Sequence, residues 1–280
     1  MQWQRLRIEV LISLKKGTQI ILTIACILLL GLAGFSGYKI YTIQHGYNES
    51  KRAYNAISDE YVSYESDAEE ELGEEELAEP EVQKKIRLRK SPLKVDFDRL
   101  LSETNPDIVA WIQCPNTVIN YPVAQAEDNK FYLNMNINQE ASFNGAIFLS
   151  AENFNDFRDR NSILHGHHMN DGSMFATLDK WQHEEYYKEH PVMYLNTVYG
   201  GNYCMQIVAA FDTPAESDAY RFEFTGEQDI EEWIQWIDEQ SVIHPKFKCT
   251  AEDKFLSLST CAYSFENARS ILIGRLIPMA

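Results

Sequence analysis

Basic residues are scarce in this chain. Its 280 residues include 25 lysines and arginines against 42 aspartates and glutamates, for a formal charge of −17. Phosphate binding needs clustered cations, so nucleic acid is excluded as a partner. Cysteine is sparse as well: Cys26, Cys114, Cys204, Cys249 and Cys261 are all there are, and no two are spaced as C-x-x-C. That pattern excludes a compact disulfide framework and the common zinc sites. Cys114 and Cys204 lie among apolar neighbours and read as small core residues. There is no second apolar run of membrane-spanning length, so everything that follows the one run present lies on one side of it.

That run is Ile20 to Gly37, IILTIACILLLGLAGFSG, eighteen residues without a charge and with only Thr23, Cys26 and Ser36 to break its apolar character. It matches the length of hydrocarbon core that a helix must cross. It also exceeds the roughly 7–15 residues of a cleaved secretory h-region, which predicts a retained span. Arg5, Arg7, Lys15 and Lys16 precede it and Lys39, Lys51 and Arg52 follow. The excess on the N-terminal side favours a cytoplasmic tail over residues 1–19, a membrane helix over 20–38 and an outward-facing remainder.

Between Asp59 and Glu81 stand twelve acidic residues and no basic one, and Lys84–Lys90 (KKIRLRK) then carries five basic residues. Such blocks bury too little apolar surface to fold alone, so residues 39–90 read as a charged extracellular spacer with some helix between Ala53 and Ile86. An acidic arm docking on the basic run or on a partner is the sharper alternative. A folded domain is expected from Ser91 to Ala280, soluble and active without what precedes it.

Eight short runs rich in β-branched and aromatic residues punctuate that domain: Ile108–Gln113, Val118–Val123, Ala146–Leu149, Ser162–His165, Val192–Val198, Tyr203–Phe211, Lys254–Thr260 and Ile271–Ile277. With few helices between them they predict a mainly β fold, a closed eight-stranded barrel with peripheral helices. Gly200-Gly201 marks a hairpin turn. A short helix is expected at Asp96–Leu101. A longer one is expected at Gln228–Gln240, where Ile230, Trp233, Ile234 and Ile237 recur at helical spacing and Thr225 with Gln228 would form a capping box.

Two runs carry the chemistry. LSLSTCAYSFENAR, Leu256 to Arg269, is an alternating strand closed by Cys261, with Arg269 eight residues on; NSILHGHHMNDGSMF, Asn161 to Phe175, ends a strand in three histidines. A thiol, an imidazole and a guanidinium from separate elements are the parts needed for acyl transfer through a thioester. Cys261 is placed at a barrel rim as a nucleophile, and a thiol beside an imidazolium or guanidinium ionises more readily. Spacing alone does not choose among His165, His167 and His168, because Gly166 disrupts the parity of the strand. No metal is expected there, since no carboxylate or thiol accompanies the three at a ligand spacing. Arg269 offers a permanent charge and a planar fork of donors for a carbonyl and its oxyanion.

These runs resemble the sortases, membrane-anchored cysteine transpeptidases of Gram-positive bacteria, and within them class B. The strand ending in Ser259-Thr260-Cys261 is similar to the family's nucleophile strand, with serine where many members carry threonine. DFDRLLSETNPDIVAWIQCPNTVINYPVAQAEDNKFYL (Asp96–Leu133), GAIFL (Gly145–Leu149) and GHHMNDGSMFATLDKW (Gly166–Trp181) are likewise similar and come in the same order. A helix inserted before the nucleophile strand is what distinguishes class B from class A. The resemblance implies a catalytic domain over 91–280 with Cys261 as nucleophile, His167 as its partner because it directly follows a glycine, and Arg269 completing the site. It further implies that Asn129, Leu133 and Ser259 contribute to the peptide cleft. No cofactor is implied.

The implied activity is cleavage of a C-terminal sorting signal on secreted proteins at a Thr-Gly-type bond. The acyl group would pass to an amine of a peptidoglycan precursor or to a pilin lysine. Two rivals differ in class. A membrane-tethered cysteine endopeptidase would hand the acyl group to water, but papain-like enzymes place Cys before His, whereas His167 precedes Cys261 by 94 residues, and no caspase-type QACxG occurs. A non-catalytic surface protein that only binds peptides would not need all three groups; a thiol-trapping assay separates it from an enzyme.

Overall fold

Alternating β-branched runs satisfy their backbone groups by pairing, and in the computed structural model eight of them close into a barrel. The structure describes residues 2–64, 85–87 and 89–280, with side chains before Ile21 only at Trp3 and Gln19. Most of the acidic run, and Lys84 and Leu88 of the basic run, lie outside the described residues, and with them the reading of an acidic arm. The chain divides into two compact units, Met1–Arg52 and Ala53–Ala280.

The first unit is helical. Helix α1 runs from Gln2 to Tyr61, its last turns belonging to the second unit. It contains the expected span, with Leu28, Leu29, Leu30 and Leu32 all exposed. Among the described residues it is the one helix long and apolar enough to cross a membrane, by length and composition.

The second unit continues with β1 (Val62–Tyr64), β2 (Leu93–Val95), α2 (Phe97–Glu103), β3 (Ile108–Gln113), β4 (Asn120–Ala124), α3 (Phe131–Asn134), β5 (Ile147–Leu149) and β6 (Asn161–His165). A 3₁₀ turn, Leu178–Gln182, leads into α4 (Glu184–Glu189), β7 (Val192–Thr197) and β8 (Asn202–Pro214). A second 3₁₀ turn, Asp218–Tyr220, precedes α5 (Glu227–Gln240), β9 (Lys254–Cys261) and β10 (Ala268–Pro278). The barrel order is β10-β8-β7-β3-β4-β5-β6-β9. The β4–β5 and β6–β9 pairs are parallel and the others antiparallel. Each expected strand is present. Two differences bear on the site: β9 extends through Cys261, and β10 begins at Ala268, so Arg269 lies within a strand instead of ahead of one.

Helix α5 buries its stripe as the spacing requires. Trp233 and Ile237 pack against Val208, Phe211, Phe255, Ile271 and Ile273 of the barrel wall. Burying each such side chain contributes about 1.5–3 kcal/mol. The capping pair differs from the expected one. Thr225 gives its backbone N–H and its hydroxyl to Asp229, while Gln228 turns outward to Glu232. A carboxylate is a stronger acceptor than an amide and is favoured by the helix N-terminus, so Asp229 wins.

The compact unit begins at Ala53, ahead of the expected boundary at Ser91. Tyr54, Ile57 and Tyr61 follow one another along one face of α1 and are buried. Tyr61 donates to Glu103 and passes its carbonyl to the Asp96 N–H. β1 pairs with β2, and Ile86 is buried beside Val192, Cys204 and Ile277. Residues read as a solvated spacer thus supply apolar surface to the domain, because three large side chains at helical spacing outweigh the flanking charge.

Candidate active site

Alternation along β9 puts Phe255, Ser257, Ser259 and Cys261 on one face. Phe255 packs on Trp233 of α5, so this is the outer wall of the barrel, beneath the β8–β9 connection. Two neighbouring strands share it. On one side, antiparallel β10 sets Arg269 opposite Cys261 and Ile271 opposite Ser259. On the other, parallel β6 sets His165 opposite Ser259, and the Gly166 N–H continues the ladder to the Ser259 carbonyl at 3.1 Å. His167 is the next residue, one past that last ladder bond. Cys261 and Arg269 thus lie opposite each other on strands about 4.7–4.9 Å apart, and His167 follows the end of the strand on the other side of β9.

Two glycines seat the histidine. A Cβ at Gly166 would lie 2.5 Å from Ile147 and 2.7 Å from Phe175, so only glycine lets the chain turn out of β6 here. Gly145 has φ +59°, and a Cβ on it would lie 2.6 Å from the Tyr132 carbonyl, 2.9 Å from the Leu133 carbonyl and 3.0 Å from His167 Cδ2. Against that bare backbone the His167 Nε2 lies 2.7 Å from the Leu133 oxygen. A carbonyl only accepts, so Nε2 carries the hydrogen, and Nδ1 is the nitrogen left to exchange a proton. Downstream, the Phe175 N–H closes back on the His167 carbonyl.

Arg269 is half-buried and uses Nη1 on the neighbouring Ala268 carbonyl; among the described residues it has no carboxylate partner. Its remaining donors are open to a ligand. Cys261 is also half-buried, and the loop that follows exposes Tyr263 (76%) and Phe265 (45%) beside it.

The other histidines are differently placed. His165 stacks between Phe148 and Tyr220 and its Nε2 lies 3.0 Å from the Ser150 hydroxyl. Burial, opposed by Glu152 and aided by the Arg269 charge, lowers its pKa to about 4, so the ring is neutral at physiological pH. His168 lies edge-on to Tyr263. The remaining thiols outside the apolar run are inert: burial pushes Cys114, Cys204 and Cys249 up to about 12. All five cysteines are free.

Of the expected cleft residues, Ser259 is buried two residues before Cys261 and shares a 2.6 Å hydrogen bond with Tyr220. Leu133 contributes through its backbone, by the bond to His167. Asn129 is tied to the Ala151 N–H and the Glu152 carboxylate, one step behind His165. Tyr220 is a site residue that sequence reasoning did not single out. Burial raises its phenol pKa, the Ser259 bond and the Arg269 charge oppose that rise, and the Cys261 sulfur adds to it, so the phenol lies within electrostatic reach of both. No local pattern marks a tyrosine in a long connection. Arg275, the other arginine on β10, is buried at the far end of the β9 pairing, bonded to Gln206 and the Lys248 carbonyl, and takes no part.

Residues 112–277 match the family model described as the sortase domain. Over 253 residues the chain is 31% identical to sortase B of Listeria monocytogenes, covering 90% of this chain and 94% of that protein. A Staphylococcus aureus sortase B–substrate complex aligns with a TM-score of 0.62 and 28% identity, over 71% of this chain and 90% of that one. A sortase B complexed with triglycine aligns with a TM-score of 0.62 and 30% identity, over 71% and 91%.

Proposed function

For a chain that belongs to the sortase family, and within it to class B, and is therefore a cysteine transpeptidase, we propose that His167, Cys261 and Arg269 form the catalytic centre. Its substrate is an extended C-terminal sorting peptide on a secreted protein, cut at a Thr-Gly-type bond. The thiolate of Cys261 attacks the threonine carbonyl. Arg269, whose donors meet no carboxylate among the described residues, holds the developing oxyanion. His167 Nδ1 delivers a proton to the departing glycine nitrogen, and an acyl-thioester remains on Cys261. An incoming amine gives its proton to the same nitrogen and displaces the sulfur, forming a new amide.

The observation that supports this reading is the strand register, which sets Arg269 opposite Cys261 and ends β6, two residues before His167, against the same strand. The triglycine complex of a sortase B supports a glycine-type amine of cell wall peptidoglycan as acceptor over a pilin lysine. The apolar part of α1 would anchor the enzyme as a single-pass span with this domain outside.

Trapping tests the reading. Incubated with a sorting peptide and no amine, the full chain should gain one acyl mass on Cys261, and triglycine should then discharge it as the ligated peptide. Cys261→Ala should acquire no adduct while unfolding at an unchanged temperature. An adduct elsewhere would refute the assignment. Release to water at the same rate with or without amine would make this an endopeptidase, and discharge only by a lysine side chain would identify a pilin-type acceptor.

A further inference from the structure

The end of α1 reaches the backbone that seats His167. Tyr54 is buried at 5% exposure and donates its hydroxyl to the Gly145 carbonyl at 3.1 Å. Gly145 is the residue against whose missing side chain the Leu133 carbonyl and the His167 ring both press. The same tyrosine lies edge-on to Tyr121, with ring centres 5.3 Å apart. The Tyr121 hydroxyl accepts the N–H of Met174, a residue held at φ +56°, and the next residue, Phe175, bonds back to the His167 carbonyl. One side chain thus bears on both supports of the histidine: the carbonyl that orients its ring, through Gly145, and the loop that carries its main chain, through Tyr121.

We propose that Tyr54 is a positioning residue for His167, which makes the membrane-proximal helix part of the catalytic apparatus. Burial pushes the phenol pKa far above its ordinary value, so the hydroxyl donates at any working pH. Its fixed donation holds the Gly145 carbonyl, and Gly145 in turn holds the gap into which the Leu133 oxygen and the imidazole fit. Without the hydroxyl that strand of backbone is free to relax, the Nε2–H bond lengthens and Nδ1 loses its fixed direction. The loss falls on proton transfer and not on peptide binding, because the contacts of Tyr54 run to the two supports of the histidine, Gly145 and Tyr121.

This inference rests on reading His167 as the proton carrier. The decisive variant is Tyr54→Phe in the full chain, which removes the hydroxyl and keeps the ring against Tyr121. Rates are counted per folded protein. A misplacement of 1 Å costs about 100-fold in rate, so a smaller relaxation should lower kcat by roughly 5- to 20-fold. KM for the sorting peptide should stay within about twofold, and the ring nitrogen resonances of His167 should shift away from those of a bonded Nε2–H. Tyr54→Met, which fills the same space without ring or hydroxyl, should lower kcat at least as far. Unmoved His167 resonances with an unchanged kcat in Tyr54→Phe would overturn the proposal, as would a change confined to KM. His167→Ala in the same assay keeps the two readings apart. If it is active, the catalytic assignment fails; if it is inactive while Tyr54→Phe leaves the His167 resonances in place, only the role of Tyr54 fails.

Discussion

Cys261 and Arg269 are cross-strand partners at the mouth of the β9–β10 hairpin, closed by a 2.9 Å bond from the Ala262 N–H to the Ala268 carbonyl. The loop between them leaves Tyr263 and Phe265 exposed, and the pairing puts the two side chains on one face of the sheet. The geometry of the pair is thereby set by a strand ladder, which is stiff, and not by the loop.

That stiffness makes Arg269→Lys informative. Lysine keeps the charge but loses the planar fork that holds a carbonyl and its oxyanion together. Losing one preorganised oxyanion donor costs about 10²–10³ in rate, roughly 2.7–4 kcal/mol. Steady-state kinetics should show that loss in kcat for Arg269→Lys and as much or slightly more for Arg269→Ala. The unfolding temperature should hardly move, because Arg269 has no ion pair to lose among the described residues. A lysine variant with full activity would reduce Arg269 to a source of local field.

The three histidines should separate by both rate and pH. His167→Ala should lose about 10²–10⁴ in kcat, the usual worth of a positioned acid–base group, and His168→Ala much less. His165 acts on stability. Folded, it takes up a proton only near pH 4, whereas the unfolded chain does so near 6.5. The unfolded state therefore binds more protons throughout that window, and stability falls as pH drops from 6.5 towards 4. His165→Phe should flatten that part of the curve of unfolding temperature against pH. An unchanged acid slope would show that other groups control it.

Gly145→Ala should damage activity more than folding. Alanine at φ +59° costs about 1–2 kcal/mol in backbone strain, and its methyl meets the Leu133 carbonyl and the His167 ring. A displacement of 1 Å at a reacting group costs about 100-fold. Thermal unfolding and kcat measured on one preparation should show a loss in kcat exceeding what strain alone explains. A purely proportional loss would show that the histidine seat tolerates the methyl.

Where the chain is cut should matter. Tyr54, Ile57 and Tyr61 each contribute about 1.5–3 kcal/mol by burial, a large part of a domain stability of about 5–15 kcal/mol. Chains starting at Ala53 should unfold like the intact domain, and chains starting at Ser91 should melt lower and turn over more slowly. Equal melting temperatures for the two would return residues 53–64 to the role of a tether.

Much of this was legible along the chain because it depends on local pattern. Eight alternating runs between turn residues can bury one face only by pairing, and that determined a barrel. Eighteen uncharged apolar residues determined a helix with the length of a membrane span. A strand closing on Cys261, a glycine before His167 and an arginine eight residues past the thiol determined which chemistry to look for. Even the face of α1 is written in Tyr54, Ile57 and Tyr61, but a stripe shows only that a helix has a partner and does not say which.

Tertiary structure decided the rest, since contact between distant residues depends on strand register and order, which no local pattern encodes. Parallel pairing of β6 with β9 set His165 opposite Ser259, buried and neutral, and ended the strand two residues before His167. An early start to β10 put Arg269 on the ladder, and distance along β9 retired Arg275 to the core. Tyr220 and Tyr54 reach the site from a long connection and from the end of the N-terminal helix, joined to it by contacts that exist only once the barrel has closed.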